Sequence, residues 1–75
     1  MMYNTITKEQ IEEIEDALFC SDRETAYSLL EEYTGIKAKP YIAWMFYDEA
    51  GNYLGDSDNY SIKDVLYNAY VKVVE

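Results

Sequence analysis

The punctuation of the first thirty-five residues constrains the fold most. Thr7-Lys8-Glu9-Gln10 has the form of a capping box, in which the Thr7 hydroxyl accepts from the third helical N–H and Gln10 reaches back to the cap. Ile11, Ile14 and Leu18 follow at helical spacing with Ala17 beside them, which predicts a helix from about Lys8 to Phe19. Ser21-Asp22-Arg23-Glu24 repeats the capping signature, so the chain is expected to break at Cys20-Ser21 and start a second helix. Ala26, Leu29, Leu30 and Tyr33 form its apolar stripe. Gly35 is the expected left-handed stop, with Ile36 placed to close a Schellman turn. Two helices this close in sequence make a helical hairpin.

The character changes at Pro40. Tyr41 to Tyr47 is continuously apolar and rich in β-formers, and proline suits the start of a strand. Asp48-Glu49-Ala50-Gly51-Asn52 predicts a hairpin turn with Gly51 at the position needing positive φ, and Tyr53 to Asp56 is the return strand. With Asp48 opposite Asn52, Tyr47 faces Tyr53 and Phe46 faces Leu54. Alternation then puts Ile42, Trp44, Phe46 and Leu54 on a core face, and Tyr41, Ala43, Met45, Tyr47 and Tyr53 on the other. Ser61 is the N-cap of a last helix with Asp64 in its first turn. Its stripe is Ile62, Val65, Leu66, Ala69 and Val73, and Tyr67, Tyr70, Val71 and Val74 widen it beyond what one sheet needs. The expected domain is α+β in the order α-α-β-β-α: helical hairpin, β-hairpin, C-terminal helix. A bare two-stranded ribbon is weak, so a short third strand is expected from Met2 to Ile6 or from a second copy.

At 75 residues the chain is one small acidic domain spanning 1–75, with a correspondingly small core. One cysteine and no histidine exclude an internal disulfide, Ser–His and Cys–His pairs, and the usual zinc sites. The glycines form neither a GxxxxGK[ST] nor a GxGxxG phosphate loop. Asp56-Ser57-Asp58-Asn59-Tyr60 opens like a calcium loop, but Tyr60, Ser61 and Tyr67 stand where the third ligand, the glycine and the final Glu belong. The chain is therefore expected to be non-enzymatic and without a cofactor. A ligand site at the hairpin mouth, from Trp44, Tyr53, Asp56 and Asp58, is the weakest of the binding readings. Met1 to Thr7 has no basic start, no run approaches the ~20 apolar residues of a membrane span, and the cysteine is single, so the expected location is the cytoplasm.

Charge points to a partner. Fifteen acids against six bases give −9 at pH 7, which argues against direct contact with nucleic acid or an anionic membrane. Glu9, Glu12, Glu13 and Asp16 lie at i, i+3, i+4 and i+7, one stripe opposite Ile11, Ile14 and Leu18. No lysine interleaves them, although each like-charged i,i+4 pair costs about 0.2–0.5 kcal/mol. The face is either plain solvated surface or a surface kept negative for a Lys/Arg-rich partner. Nine tyrosines exceed what so small a core holds. Tyr41, Tyr47, Tyr53, Tyr67 and Tyr70, with Tyr60, are expected at least half-exposed, and tyrosine is enriched in interfaces. Together these predict a protein-binding module whose carboxylates occupy phosphate sites on a basic, nucleic-acid-binding protein. The composition is similar to that of the broad class of small acidic inhibitors that mimic nucleic acid, many of them carried by phages and mobile elements. The alternative is a small homodimer with a structural or regulatory role, in which the wide last helix and the tyrosine face of the hairpin bury each other across a two-fold axis.

Overall fold

The computed structural model describes residues 4–75. It shows an α+β domain with the elements β1 (Thr5–Thr7), α1 (Lys8–Phe19), α2 (Arg23–Thr34), β2 (Lys37–Pro40), β3 (Trp44–Tyr47), β4 (Tyr53–Asp56), α3 (Ile62–Asn68) and β5 (Lys72–Val74). Strands β2-β3-β4 form an antiparallel sheet, and β1 pairs with β5 in parallel. No helix among the described residues is long and apolar enough to cross a membrane.

The helical hairpin forms where the sequence places it. Thr7 Oγ1 accepts from Gln10 N–H at 3.1 Å while Gln10 Oε1 accepts from Thr7 N–H at 2.9 Å, closing the capping box of α1. The turn after α1 differs in one detail. Ser21 adopts φ 60°, its N–H reaches Leu18 O at 3.0 Å, and Asp22 N–H reaches Ala17 O at 2.9 Å. These are the paired bonds of a Schellman motif. Ser21 is thus the left-handed residue that reverses the chain, and the N-cap of α2 is Asp22, which accepts from Thr25 N–H at 3.2 Å. Gly35 ends α2 at φ 83° as expected. Its N–H bonds Glu31 O at 2.7 Å, the single-bond form of the left-handed stop. Ile36 N–H goes to Thr34 Oγ1 at 3.2 Å instead of a Schellman carbonyl.

The β-hairpin turn also matches: Asp48 N–H bonds Asn52 O at 3.1 Å, and Gly51 sits at φ 85°. Tyr47 faces Tyr53, with ring centroids 6.0 Å apart. Phe46, however, pairs with Gly55 rather than Leu54, because a bulge falls between Phe46 and Tyr47. A Cβ on Gly55 would lie 2.6 Å from the Tyr60 ring, so only glycine fits beneath that ring.

Three expectations need correction. The third strand of the hairpin sheet is Lys37–Pro40, so Pro40 closes a strand instead of opening a long one. Tyr41 to Ala43 make the connection, and Ile42, expected in the core, is 91 % exposed. A short N-terminal strand does form at Thr5–Thr7, but it joins β5 and leaves the hairpin alone; Met2 and Tyr3 lie outside the described residues. The last helix stops at Asn68. Tyr70 takes φ 60°, its N–H bonds Tyr67 O at 3.0 Å, and Val71 N–H bonds Leu66 O at 2.9 Å. This is a second Schellman motif without glycine, and the pair it brings together, Val71 and Leu66, is buried. Of the residues expected to widen the helix, Tyr67 stays in α3, Tyr70 and Val71 form the turn, and Val74 lies in β5.

The core joins both halves of the chain. Ile11 and Ile14 from α1, Ala26, Tyr27 and Leu30 from α2, Phe46 and Leu54 from the sheet, and Val65 and Leu66 from α3 are all buried. Tyr27 is central: its ring meets Trp44 at 5.0 Å and Phe46 edge-on at 5.1 Å. Burial raises its phenol above the usual value of 10.0, and Arg23 partly opposes that.

Candidate functional site

The capped start of α1 fixes its rotation, and burial of Ile11 and Ile14 turns Glu9, Glu12, Glu13 and Asp16 to solvent. The side chains of Glu9, Glu12 and Asp16 make no hydrogen bond or ion pair among the described residues. Glu13 accepts from the Tyr33 hydroxyl at 2.8 Å, across the groove between α1 and α2. That bond, with the Glu13 and Glu32 charges beside it, holds the Tyr33 phenol above its ordinary value. Tyr33 and Glu32 were not assigned to the site from sequence; the signal available was the Glu31-Glu32-Tyr33 run at the end of α2. The span from Lys8 to Thr34 carries nine of the fifteen acids and two of the six bases.

The tyrosines do not gather on that surface. Tyr47 and Tyr53 pack on each other on the hairpin, and Lys39 lies over the Tyr47 ring at 5.5 Å. Tyr41 stands exposed in the β2–β3 connection beside Ile42. Tyr67 and Tyr70, 81 % and 88 % exposed, stand at the end of α3. The only tyrosine hydroxyl that meets an α1 acid among the described residues is that of Tyr33.

At the hairpin mouth the polar groups satisfy one another. Asp56 Oδ2 accepts from the Tyr53 hydroxyl at 2.9 Å, and Oδ1 accepts from Asp58 N–H and Asn59 N–H at 3.0 and 2.9 Å. These bonds, led by the Tyr53 hydroxyl, lower the Asp56 carboxyl below its ordinary 3.8, and the same contact raises the Tyr53 phenol. Asp48 is lowered by Asn52, whose side chain and backbone both donate to it. The segment that opened like a calcium loop thus forms an Asx turn leading into α3, where Ser61 and Asp64 close a capping box. Among the described residues no three Cys, Asp or Glu side chains are grouped to hold a metal.

A depression of about 460 Å³ lies between α1, α2, β3 and the start of α3, edged by Phe19, Arg23, Tyr27 and Tyr60. Glu15 is its one carboxylate. The two serine hydroxyls on its rim are engaged: Ser57 Oγ accepts from Trp44 N–H and Ser61 Oγ from Asp64 N–H. Cys20 is exposed at the end of α1. The arrangement offers charge and aromatic contact. No protein-family model, curated protein or solved structure matches this chain.

Proposed function

We propose that the chain is a non-enzymatic acidic module that binds a basic protein surface through the α1–α2 face, competing there with a nucleic-acid backbone. The supporting observation is the α1 stripe: Glu9, Glu12 and Asp16 are exposed and unpaired among the described residues, and Glu13 touches only a neutral phenol. A helix rises 1.5 Å per residue, so the four carboxylates span roughly 10 Å, about one charge every 3.5 Å. One strand of duplex DNA carries a charge about every 3.4 Å along the axis. A surface that reads phosphates by position can therefore meet these carboxylates in a similar row. Tyr33, beside Glu13 and Glu32, adds a flat amphipathic contact of the kind interfaces favour.

The test is capture of a binding protein from a bacterial lysate on the immobilised chain, elution in a salt gradient, and assay of that protein's nucleic-acid binding with the chain added. The expected result is release by rising salt and inhibition of nucleic-acid binding. The combined variant Glu9→Gln, Glu12→Gln, Glu13→Gln, Asp16→Asn should bind at least ~10-fold more weakly, since several close charge pairs are lost. Unchanged binding by that variant reduces the stripe to soluble surface.

The homodimer reading no longer draws on an overwide last helix, because α3 ends at Asn68.

A further inference from the structure

We propose that two copies of the chain join by antiparallel pairing of β5 with β5 across a two-fold axis, giving one four-stranded sheet in the order β1-β5-β5-β1. The starting point is that β1–β5 is an incomplete sheet. It is a parallel pair of three residues each, and all three residues of β5 are exposed. Parallel strands ordinarily sit covered within larger sheets, and two-stranded ribbons are marginal alone.

The backbone of β5 has groups to offer. Lys72 N–H bonds Asn4 O at 2.7 Å, so the polar groups of Lys72 point toward β1. Those of Val73 then point to the opposite edge, where they meet no partner among the described residues. The other edges are managed. The β2 edge carries Lys37, Lys39 and Pro40, residues that discourage strand addition. On β4 the Leu54 carbonyl accepts from Asn68 Nδ2 at 2.9 Å, and Tyr60 covers Gly55. Thr5–Thr7 borders a groove shared with Glu32 and Tyr33 of α2. The β5 edge carries one lysine, Lys72, whose backbone groups face β1, and its outward-facing residue is a valine with no proline or covering side chain among the described residues.

Charge selects the occupant. At −9 per chain, two copies repel over most of their surface. Yet three of the six bases, Lys8, Lys63 and Lys72, lie on or beside β5. Lys8 and Lys63 line one groove with Val73, Glu12 and Glu15, and Lys8 Nζ pairs with Glu75 at 2.6 Å. Three cations thus stand among three carboxylates, and the neighbourhood of β5 is close to neutral. A basic partner is drawn to the α1–α2 face, whose stripe reaches this groove only at Glu12, whereas a second copy meets no net repulsion here. The outward groups of Val73 set the register: Val73 faces Val73 at the axis and Lys72 faces Val74, so the central pair exchanges two N–H···O bonds. Val73 and Val74 are half-exposed, and Tyr70 stands two residues before the strand. A buried tyrosine covers ~150–250 Å², so Tyr67, Tyr70 and the two valines from both copies reach about 1,000 Å², the lower bound for a specific interface. The dimer is accordingly weak and concentration-dependent.

Sedimentation velocity on the full chain tests this, from ~1 to ~500 μM at low salt and at ~0.5 M salt, where screening shortens the reach of like charge. A dimer should form at the upper concentrations and strengthen with salt, the opposite of binding to a basic partner. Val73→Pro removes the outward N–H, and Val74→Lys places like charges near the axis without touching the core. Each should weaken association at least ~10-fold, and the Val73 amide should exchange more slowly as concentration rises. If Val73→Pro does not fold, Val74→Lys and the amide readout still decide. A monomer at ~500 μM in ~0.5 M salt overturns the proposal. So does a dimer that Val74→Lys leaves unchanged and in which the Val73 amide gains no protection.

Discussion

The α1–α2 hairpin and the chain that follows it treat acidic residues in opposite ways. From Lys8 to Thr34 there are nine acids and two bases; from Gly35 to Glu75 there are six acids and four bases. In the second region Asp48 and Asp56 organise turns, Asp64 closes a cap, and Glu75 pairs with Lys8. In the first, Asp22 caps α2 and Glu13 takes a phenol, but the side chains of Glu9, Glu12 and Asp16 hold nothing among the described residues. One region uses its acids to shape the backbone. The other displays them at some cost to its helix, as expected of the partner surface proposed for it.

The two regions nevertheless share one core, and the sharpest test of the comparison is whether they unfold together. Phe46 is buried against Tyr27, so each region contributes one ring to the contact. Phe46→Ala should destabilise the whole chain by about 3–5 kcal/mol, a loss that takes in both the buried ring and the cavity left behind. A domain of this size has a margin of only a few kcal/mol. The expected observation by circular dichroism is therefore loss of helical and sheet signal together. A variant that keeps the helical signal of α1–α2 while the sheet melts would show two separable units.

Helix ends give the next largest effect, and they show why one region was more legible than the other. The stop of α2 is spelled by Gly35, and the sequence places it correctly. The stop of α3 is Tyr70, in the same left-handed geometry. Nothing in the residue type signals it, because the geometry is imposed by Val71 turning into the core over Leu66 rather than by local preference. Hence an apolar run read as helix to Val74 becomes a turn and a strand. Gly35→Ala should destabilise by ~1 kcal/mol and Tyr70→Gly should stabilise by a similar amount, because L-residues pay ~1–2 kcal/mol for that conformation. Urea midpoints, taken where the chain is monomeric, check both signs. A loss on Tyr70→Gly would mean that the exposed ring contributes contacts in the free chain.

Site legibility follows the same division. The acidic stripe was readable because a capped amphipathic helix fixes which residues face outward from period alone. The tyrosine set, Tyr47 apart, was readable as exposed but not as scattered, because its members lie on β3, β4, α3 and the connections beside them, whose arrangement depends on tertiary pairing. Ile42 was misplaced for a related reason: alternation assigns faces only within a strand, and the strand begins at Trp44. Tyr27 escaped because the stripe of α2 is rotated by one position, with Tyr27 and Thr34 inside and Tyr33 partly outside.

The smallest effects bear most directly on the opening contrast, and they have opposite signs. Neutralising Glu9, Glu12, Glu13 and Asp16 relieves two i,i+4 repulsions and should raise stability by several tenths of a kcal/mol while removing partner binding. Asp56→Asn should lower stability, because the charged acceptor of four donor groups is lost. The same logic fixes the acid limb of stability. Asp48 and Asp56 have folded-state values below their ordinary 3.8, so they bind protons more weakly when folded. Their contribution is complete above that ordinary value and is lost as pH falls through the lowered ones. Tyr33 and Tyr53 are raised above 10.0, so theirs is complete below that value and is lost as pH climbs through the raised ones. Thermal midpoints across pH should therefore form a plateau. Asp56→Asn should flatten its acid edge, and the four-fold α1 variant should leave the Asp48 and Asp56 contribution intact. An acid edge set instead by the α1 stripe would mean that those carboxylates serve the fold after all.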